Sequence, residues 1–248
     1  MNKLDLLRGL HMKNVLGLKK TLIASTIAAA SVVAPSMAAA EISGSLGIAS
    51  MYLWRGQDVS AGTANVSGSL DFTTDAGFYA GTWISSAGTA VAGGTTSTET
   101  DFYVGFGGEA GGLSYDLSYI TYVYPEFDVG AGELGEIILG LGMGGFSATL
   151  YSYAGWEKNI SDGGDGSTDM SFGDDNYVTL GYDYEDFGIL VGTWMYEADD
   201  SDYTHVDLSY SPIENLTFTV SKVVDSDKFS PVSDDQDPLF VVGYSFPL

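Results

Sequence analysis

Over most of the chain from residue 41 to the C-terminus, apolar and polar residues alternate with a period of two. Between 177 and 184, Val178, Leu180, Tyr182 and Tyr184 alternate with Tyr177, Thr179, Gly181 and Asp183. Thr204, Val206, Leu208 and Tyr210 alternate with His205, Asp207 and Ser209, and Leu216, Phe218 and Val220 with Thr217, Thr219 and Ser221. Successive side chains of a strand point to opposite faces, so each segment has one apolar and one polar face. A soluble sandwich gives the same alternation, so the pattern by itself does not place the sheet in a membrane.

Twelve such segments are legible, at 42–55, 64–73, 77–85, 100–107, 113–124, 134–143, 145–153, 177–184, 188–197, 203–210, 216–223 and 239–247. The connections after the even segments are short, such as Thr74-Asp75-Ala76 and Glu185-Asp186-Phe187. After most odd segments they are longer and more polar: 56–63, 86–99, 125–133, 154–176 and 224–238, with 198–202 short but acidic. An even strand count with short turns at one end and long loops at the other is the asymmetry of an outer-membrane barrel. The prediction is all-β: a single transmembrane antiparallel β-barrel of about twelve strands, with short periplasmic turns, long extracellular loops and both termini at the periplasmic side. No linker divides it, so residues 41–248 are expected to form one barrel domain.

The first forty residues follow another rule. Lys3, Arg8, Lys13, Lys19 and Lys20 precede an apolar stretch over 21–34, and Ala38-Ala39-Ala40 closes the segment. A basic start, a short apolar core and an Ala-x-Ala site describe a secretory signal peptide, with cleavage expected between Ala40 and Glu41. Fourteen apolar residues are too few to cross a hydrocarbon core of roughly 30 Å as a helix. Met12 is an alternative start.

The chain from Glu41 onward carries four basic residues against thirty-two acidic ones, and all of the aromatic residues. That balance excludes nucleic acid as a partner, since phosphates require a basic patch. It also argues against docking on anionic headgroups through a basic helix. High charge with few aromatics would mean disorder, but here aromatics abound. The absence of cysteine removes zinc thiolates, redox pairs and cysteine nucleophiles, and leaves stability to one large cooperative structure such as a closed sheet.

Several short elements are familiar. Met51-Tyr52-Leu53-Trp54-Arg55-Gly56, Gly77-Phe78-Tyr79-Ala80-Gly81-Thr82-Trp83, the stretch 115–125 and Gly135-Glu136-Ile137-Ile138-Leu139-Gly140 resemble the TorF-type porin family, in the same order along the chain. The resemblance runs through most of 45–247. It implies an exported outer-membrane barrel acting as a pore, and it brings no catalytic motif. At the C-terminus, Phe240, Val242, Tyr244, Phe246 and Leu248 share one face, and Gly243-x-x-Phe246-x-Leu248 resembles the terminal signal read by barrel-assembly machinery. Leu248 and Pro247 depart from that signal's usual aromatic end.

If the apolar faces meet lipid, Arg55, Asp71, Asp101, Asp116, Glu136, Asp183, His205 and Asp207 point into the lumen among small and hydroxylic neighbours. Six acids against one arginine favour cations over anions, as carboxylate rings do in cation pores. Twelve strands lie between a barrel filled by side chains and one with a wide channel, and the many small inward residues favour an open path. Arg55 has two candidate roles, a pore-wall cation opposite the acids or a cross-link to Asp71 on the next strand, and the cross-link is preferred because a buried charge requires a partner.

His205 with Asp207 invites a Ser-His-Asp reading, because some outer-membrane barrels are lipid enzymes. No Gly-x-Ser-x-Gly element accompanies them, so no catalytic residue is assigned. The Asp- and Gly-rich loop 161–176 has oxygen ligands that calcium would accept, but it matches neither an EF-hand nor a Gly-Gly-x-Gly-x-Asp repeat. No metal and no cofactor are therefore expected. The reading is a passive outer-membrane pore for small solutes, in contact with outer-membrane lipid and lipopolysaccharide. Its rivals are a non-conducting structural or adhesive barrel, an outer-membrane lipid hydrolase and a periplasmic β-sandwich binder.

Overall fold

A computed structural model describes residues 41–86, 97–155 and 173–248. The signal segment, including Ala40, lies outside the described residues, as do 87–96 and all but 173–176 of the acidic loop 161–176. The alternating segments become β1 (Glu41–Ala49), β4 (Asn65–Thr73), β5 (Phe78–Ser85), β6 (Glu99–Ala110), β7 (Leu113–Tyr124) and β8 (Val129–Met143). They continue as β9 (Phe146–Tyr153), β10 (Asn176–Tyr184), β11 (Phe187–Met195), β12 (Tyr203–Ile213), β13 (Leu216–Ser226) and β14 (Leu239–Pro247). Each pairs antiparallel with the next, and β14 returns to pair with β1, so the twelve strands close into a barrel. Closure leaves no strand edge unpaired, which is what a spanning sheet requires in lipid.

The period of two sets the two surfaces. On the outer face stand Leu180, Phe78 and Leu208, all more than half exposed, together with most of the large apolar side chains. Their strand neighbours, such as Thr179 and Asp207, point inward and are buried. Close to the short turns the outer face turns aromatic. Phe78 meets Phe106 at 4.9 Å, Phe146 meets Tyr182 at 4.5 Å, and Phe187 stacks on Tyr210 at 4.8 Å. An apolar band bordered by aromatic rings at a rim is the outer surface of an outer-membrane-type barrel. The turns at this rim are tight. Gly144 and Gly145, at φ 62° and 89°, form a two-residue connection of the primed type that matches the strand twist.

At the other end three expectations need correction. The segment predicted to begin at 134 starts at Val129, because the link after β7 is only a 3-10 turn, Pro125–Phe127, closed by Asp128 in the left-handed region. That turn is tied down through Glu126, whose carboxylate accepts the Thr98 N–H at 3.2 Å. Backbone N–H groups donated to it, its own and that of Thr98, hold its pKa below the usual carboxylate value.

The second correction is larger. The strand predicted over 42–55 ends at Ala49, and the chain leaves the wall there. Residues 53–58 form a small hairpin of β2 (Leu53–Trp54) and β3 (Gln57–Asp58). Its turn residues, Arg55 and Gly56, lie at φ 49° and 82°. Two residues in succession at positive φ turn a strand back on itself, so the wall strand cannot run through 55. Third, this hairpin enters the lumen, which the sequence reading lined with strand side chains alone. β9 lies six strands from β1 in either direction round the barrel, and the hairpin tip lies against Tyr151 of β9.

Candidate functional site

The site is the place where the hairpin meets the far wall. The Arg55 guanidinium donates from Nη1 to Glu136 Oε1 at 2.8 Å and from Nη2 to Oε2 at 2.6 Å. Glu136, on β8, also accepts the Tyr122 hydroxyl at 2.7 Å. Four rings surround the guanidinium carbon: Trp54 at 4.7 Å, Tyr151 at 4.6 Å, Tyr177 at 4.5 Å and Trp194 at 4.4 Å. Aromatic faces attract a cation through the ring quadrupole, and a carboxylate fork matches the two terminal nitrogens. Arg55 is 1% exposed, and among the described residues it is the only lysine or arginine on the inward side.

Other contacts fasten the hairpin around the lumen. Tyr52 donates to Glu99 Oε1 at 2.9 Å, and Tyr124 donates to Oε2 of the same carboxylate at 2.8 Å. Gln57 donates to the Tyr203 hydroxyl at 2.7 Å, which donates in turn to the Arg55 carbonyl at 2.8 Å. Gln236, from the connection after β13, reaches the Gly56 carbonyl. Within the hairpin, Asp58 accepts both the N–H and the hydroxyl of Ser60, and its other oxygen accepts the Gly62 N–H. This is the local turn chemistry that aspartate favours.

The predicted inward residues divide into two groups. Asp101, Glu136, His205 and Asp207 stand inward on their strands and are buried at the level of the hairpin. Asp101 makes no hydrogen bond with either carboxylate oxygen. Asp71, Asp116 and Asp183 are inward but only half-buried, nearer the short turns. Arg55 is not on the wall at all, and its partner is Glu136 instead of Asp71. Asp71 instead accepts the Ser69 and Tyr103 hydroxyls. The hairpin carries Arg55 to the opposite wall, away from the strand beside β1 that holds Asp71. Asp116 accepts Tyr79 at 2.8 Å and Ser118 at 3.2 Å.

His205 has both ring nitrogens engaged: Nε2 with the Tyr177 hydroxyl at 2.7 Å and Nδ1 with Asp207 Oδ1 at 2.9 Å. It is fully buried, and Gly56 of the hairpin packs against it. The arrangement orders Tyr177 and the histidine beside the hairpin. No serine hydroxyl among the described residues is hydrogen-bonded to His205. Gly243 faces inward at the last strand, whereas Phe246 and Leu248 are exposed on the outside.

The aromatic and carboxylate partners Trp54, Glu99, Tyr122, Tyr151, Tyr177 and Trp194 were absent from the predicted site. A signal for them exists. Tyr151, Tyr177 and Trp194 occupy the polar-face positions of their strands, where a water-lined wall has no use for a large ring. Gly192 beside Tyr177 and His205 leaves the space those rings need.

A profile of the family described as "Bacterial protein of unknown function (Gcw_chp)" matches residues 33–172, more than half of the chain. No curated protein matches. Among solved structures, outer membrane phospholipase A from Escherichia coli is 10% identical, with 82% of this chain and 91% of that chain covered at a TM-score of 0.43. The Salmonella typhi outer membrane phospholipase dimer with bound calcium is 10% identical, with 82% and 89% covered and a TM-score of 0.43. A likeness this loose carries nothing over to this chain.

Proposed function

This chain belongs to the Gcw_chp family, whose members are described as bacterial proteins of unknown function, and we propose that it works in the outer membrane as a narrow, cation-preferring passive pore for small solutes. The observation that carries this reading is the contrast between the two surfaces of one barrel. The outside is apolar, whereas the inner wall towards the short turns is hydroxylic and acidic and stays half-exposed, with Ser45, Ser69, Asp71, Asp116, Thr149 and Asp183 on it. Side chains of this kind on an inward face meet water, and carboxylates in a confined aqueous path raise local cation concentration. The resemblance to TorF-type porins belongs to the same proposal. So do export by the signal peptide and reading of Phe246 and Leu248 by assembly machinery. The chain is read as a pore and not as an enzyme, because His205 is spent on Tyr177 and Asp207 inside the lumen, away from lipid.

Planar bilayers under a potassium chloride gradient test it. A cation-selective reversal potential is expected, moving towards zero in Asp71→Asn with Asp116→Asn. Glu136 is unsuitable for this test, since its charge is committed to Arg55. Anion selectivity would overturn the charge argument. The hairpin across the lumen favours a second reading, a non-conducting structural barrel, and a folded barrel without conductance would establish that reading instead.

A further inference from the structure

The far wall binds Arg55 as a receptor binds a ligand. Glu136, Tyr122, Tyr151, Tyr177 and Trp194 all stand on barrel strands, β7 to β11, whose ladders fix their backbones independently of the hairpin. Only Trp54 comes with the hairpin. The contacts use nothing but the terminal nitrogens and the flat faces of the guanidinium, and Arg55 Nε makes no hydrogen bond. Those features are equally present in a free guanidinium compound. Recognition therefore does not read the attachment of the group to the chain.

We propose that this wall site is a binding site for small solutes bearing a guanidinium group, occupied in the resting barrel by the protein's own Arg55. It rests on the pore reading in that it names a substrate class for the same lumen. A planar cation entering the box would take over the fork of Glu136 and the ring faces, and the hairpin tip would lose its strongest hold on the wall. A simple ammonium would be recognised less well, because a point charge cannot fill a carboxylate fork from a plane.

Arg55→Gly empties the box while suiting the backbone, since residue 55 sits at φ 49° where glycine is at ease. The purified variant in detergent is titrated with methylguanidinium chloride against matched sodium chloride, reading tryptophan fluorescence and the unfolding temperature. A saturable fluorescence change and a rise in unfolding temperature are expected in Arg55→Gly, and only at higher concentration in the wild-type protein, where Arg55 must first be displaced. Adding Glu136→Gln should weaken binding about tenfold or more, the worth of a lost charged hydrogen bond. Methylammonium should bind more weakly than methylguanidinium.

An unresponsive folded variant, an equal response in the wild type, or indifference to Glu136→Gln or to the choice of cation would each overturn the proposal. If Arg55→Gly does not fold alone, it is refolded with methylguanidinium present. Recovery of the heat-modifiable barrel supports the site, and failure to recover overturns it. The readout needs no conductance, so a barrel that binds without conducting refutes only the pore, and one that conducts without binding refutes only this site.

Discussion

At the scale of the residue, Gly56 decides whether the hairpin tip can reach the wall. It lies at φ 82°, and a Cβ there would sit 2.8 Å from His205 Cβ and Cγ. Gly62 offers an internal control, with φ 74° and nothing within 4 Å of a built Cβ. Gly56→Ala and Gly62→Ala therefore share the cost of a left-handed alanine, about 1 kcal/mol or more. Only the first collides with His205. Gly56→Ala should lower the unfolding temperature in detergent further than Gly62→Ala does, and equal losses would show that the contact with His205 contributes nothing. Arg55 and Glu136 belong to the same logic, because removing one partner of a buried ion pair leaves the other uncompensated.

At the scale of the element, β12 shows how one strand serves two environments. Leu208 is 54% exposed on the outer face, paired with Ile189 and Val220, while Ser209 beside it faces inward. Leu208→Arg should cost roughly 2–4 kcal/mol if placed in lipid near the midplane, and Ser209→Arg much less. Urea unfolding of the barrel in lipid vesicles measures both, and similar costs would contradict a lipid-facing Leu208. β1 shows the opposite case, in which the wall strand stops at Ala49 and the chain turns inward. Residues 50–55, Ser-Met-Tyr-Leu-Trp-Arg, do not alternate, and Arg55 on a strand facing lipid or open lumen would lack the partners that a buried charge needs. Turning at Arg55 and Gly56 delivers it to Glu136 and the rings.

At the scale of the whole molecule, one closed sheet supplies both an apolar outer surface and a polar inner one. Twelve strands enclose more space than inward side chains alone fill, and here the hairpin enters that space from the side of the long connections, its tip against Tyr151. The half near the short turns keeps its carboxylates half-exposed. Such a barrel reaches an outer membrane only after export, and Glu41, the first residue of β1, already pairs with Thr73. N-terminal sequencing of protein isolated from outer membranes should therefore begin at Glu41 or within a few residues of it. Material beginning at Met1 or Met12 would contradict cleavage.

The strand count, the faces of nearly every strand and the placing of short turns at one end were legible in the sequence. Each follows from local chemistry: the period of two, and the turn residues between segments. The inward orientation of Asp71, Asp101, Asp116, Glu136, Asp183, His205 and Asp207 was legible for the same reason, since a side chain's face depends only on its own strand. What joins Arg55 to Glu136 was not. Those residues are eighty-one apart in the chain and stand on no common strand pair. Only closure of the barrel brings β8 to β11 opposite β1, so only the tertiary structure decides what the hairpin meets across the lumen. The same closure makes a tyrosine or tryptophan on a polar face part of a cation box, because its partner arrives from outside the sheet's own register.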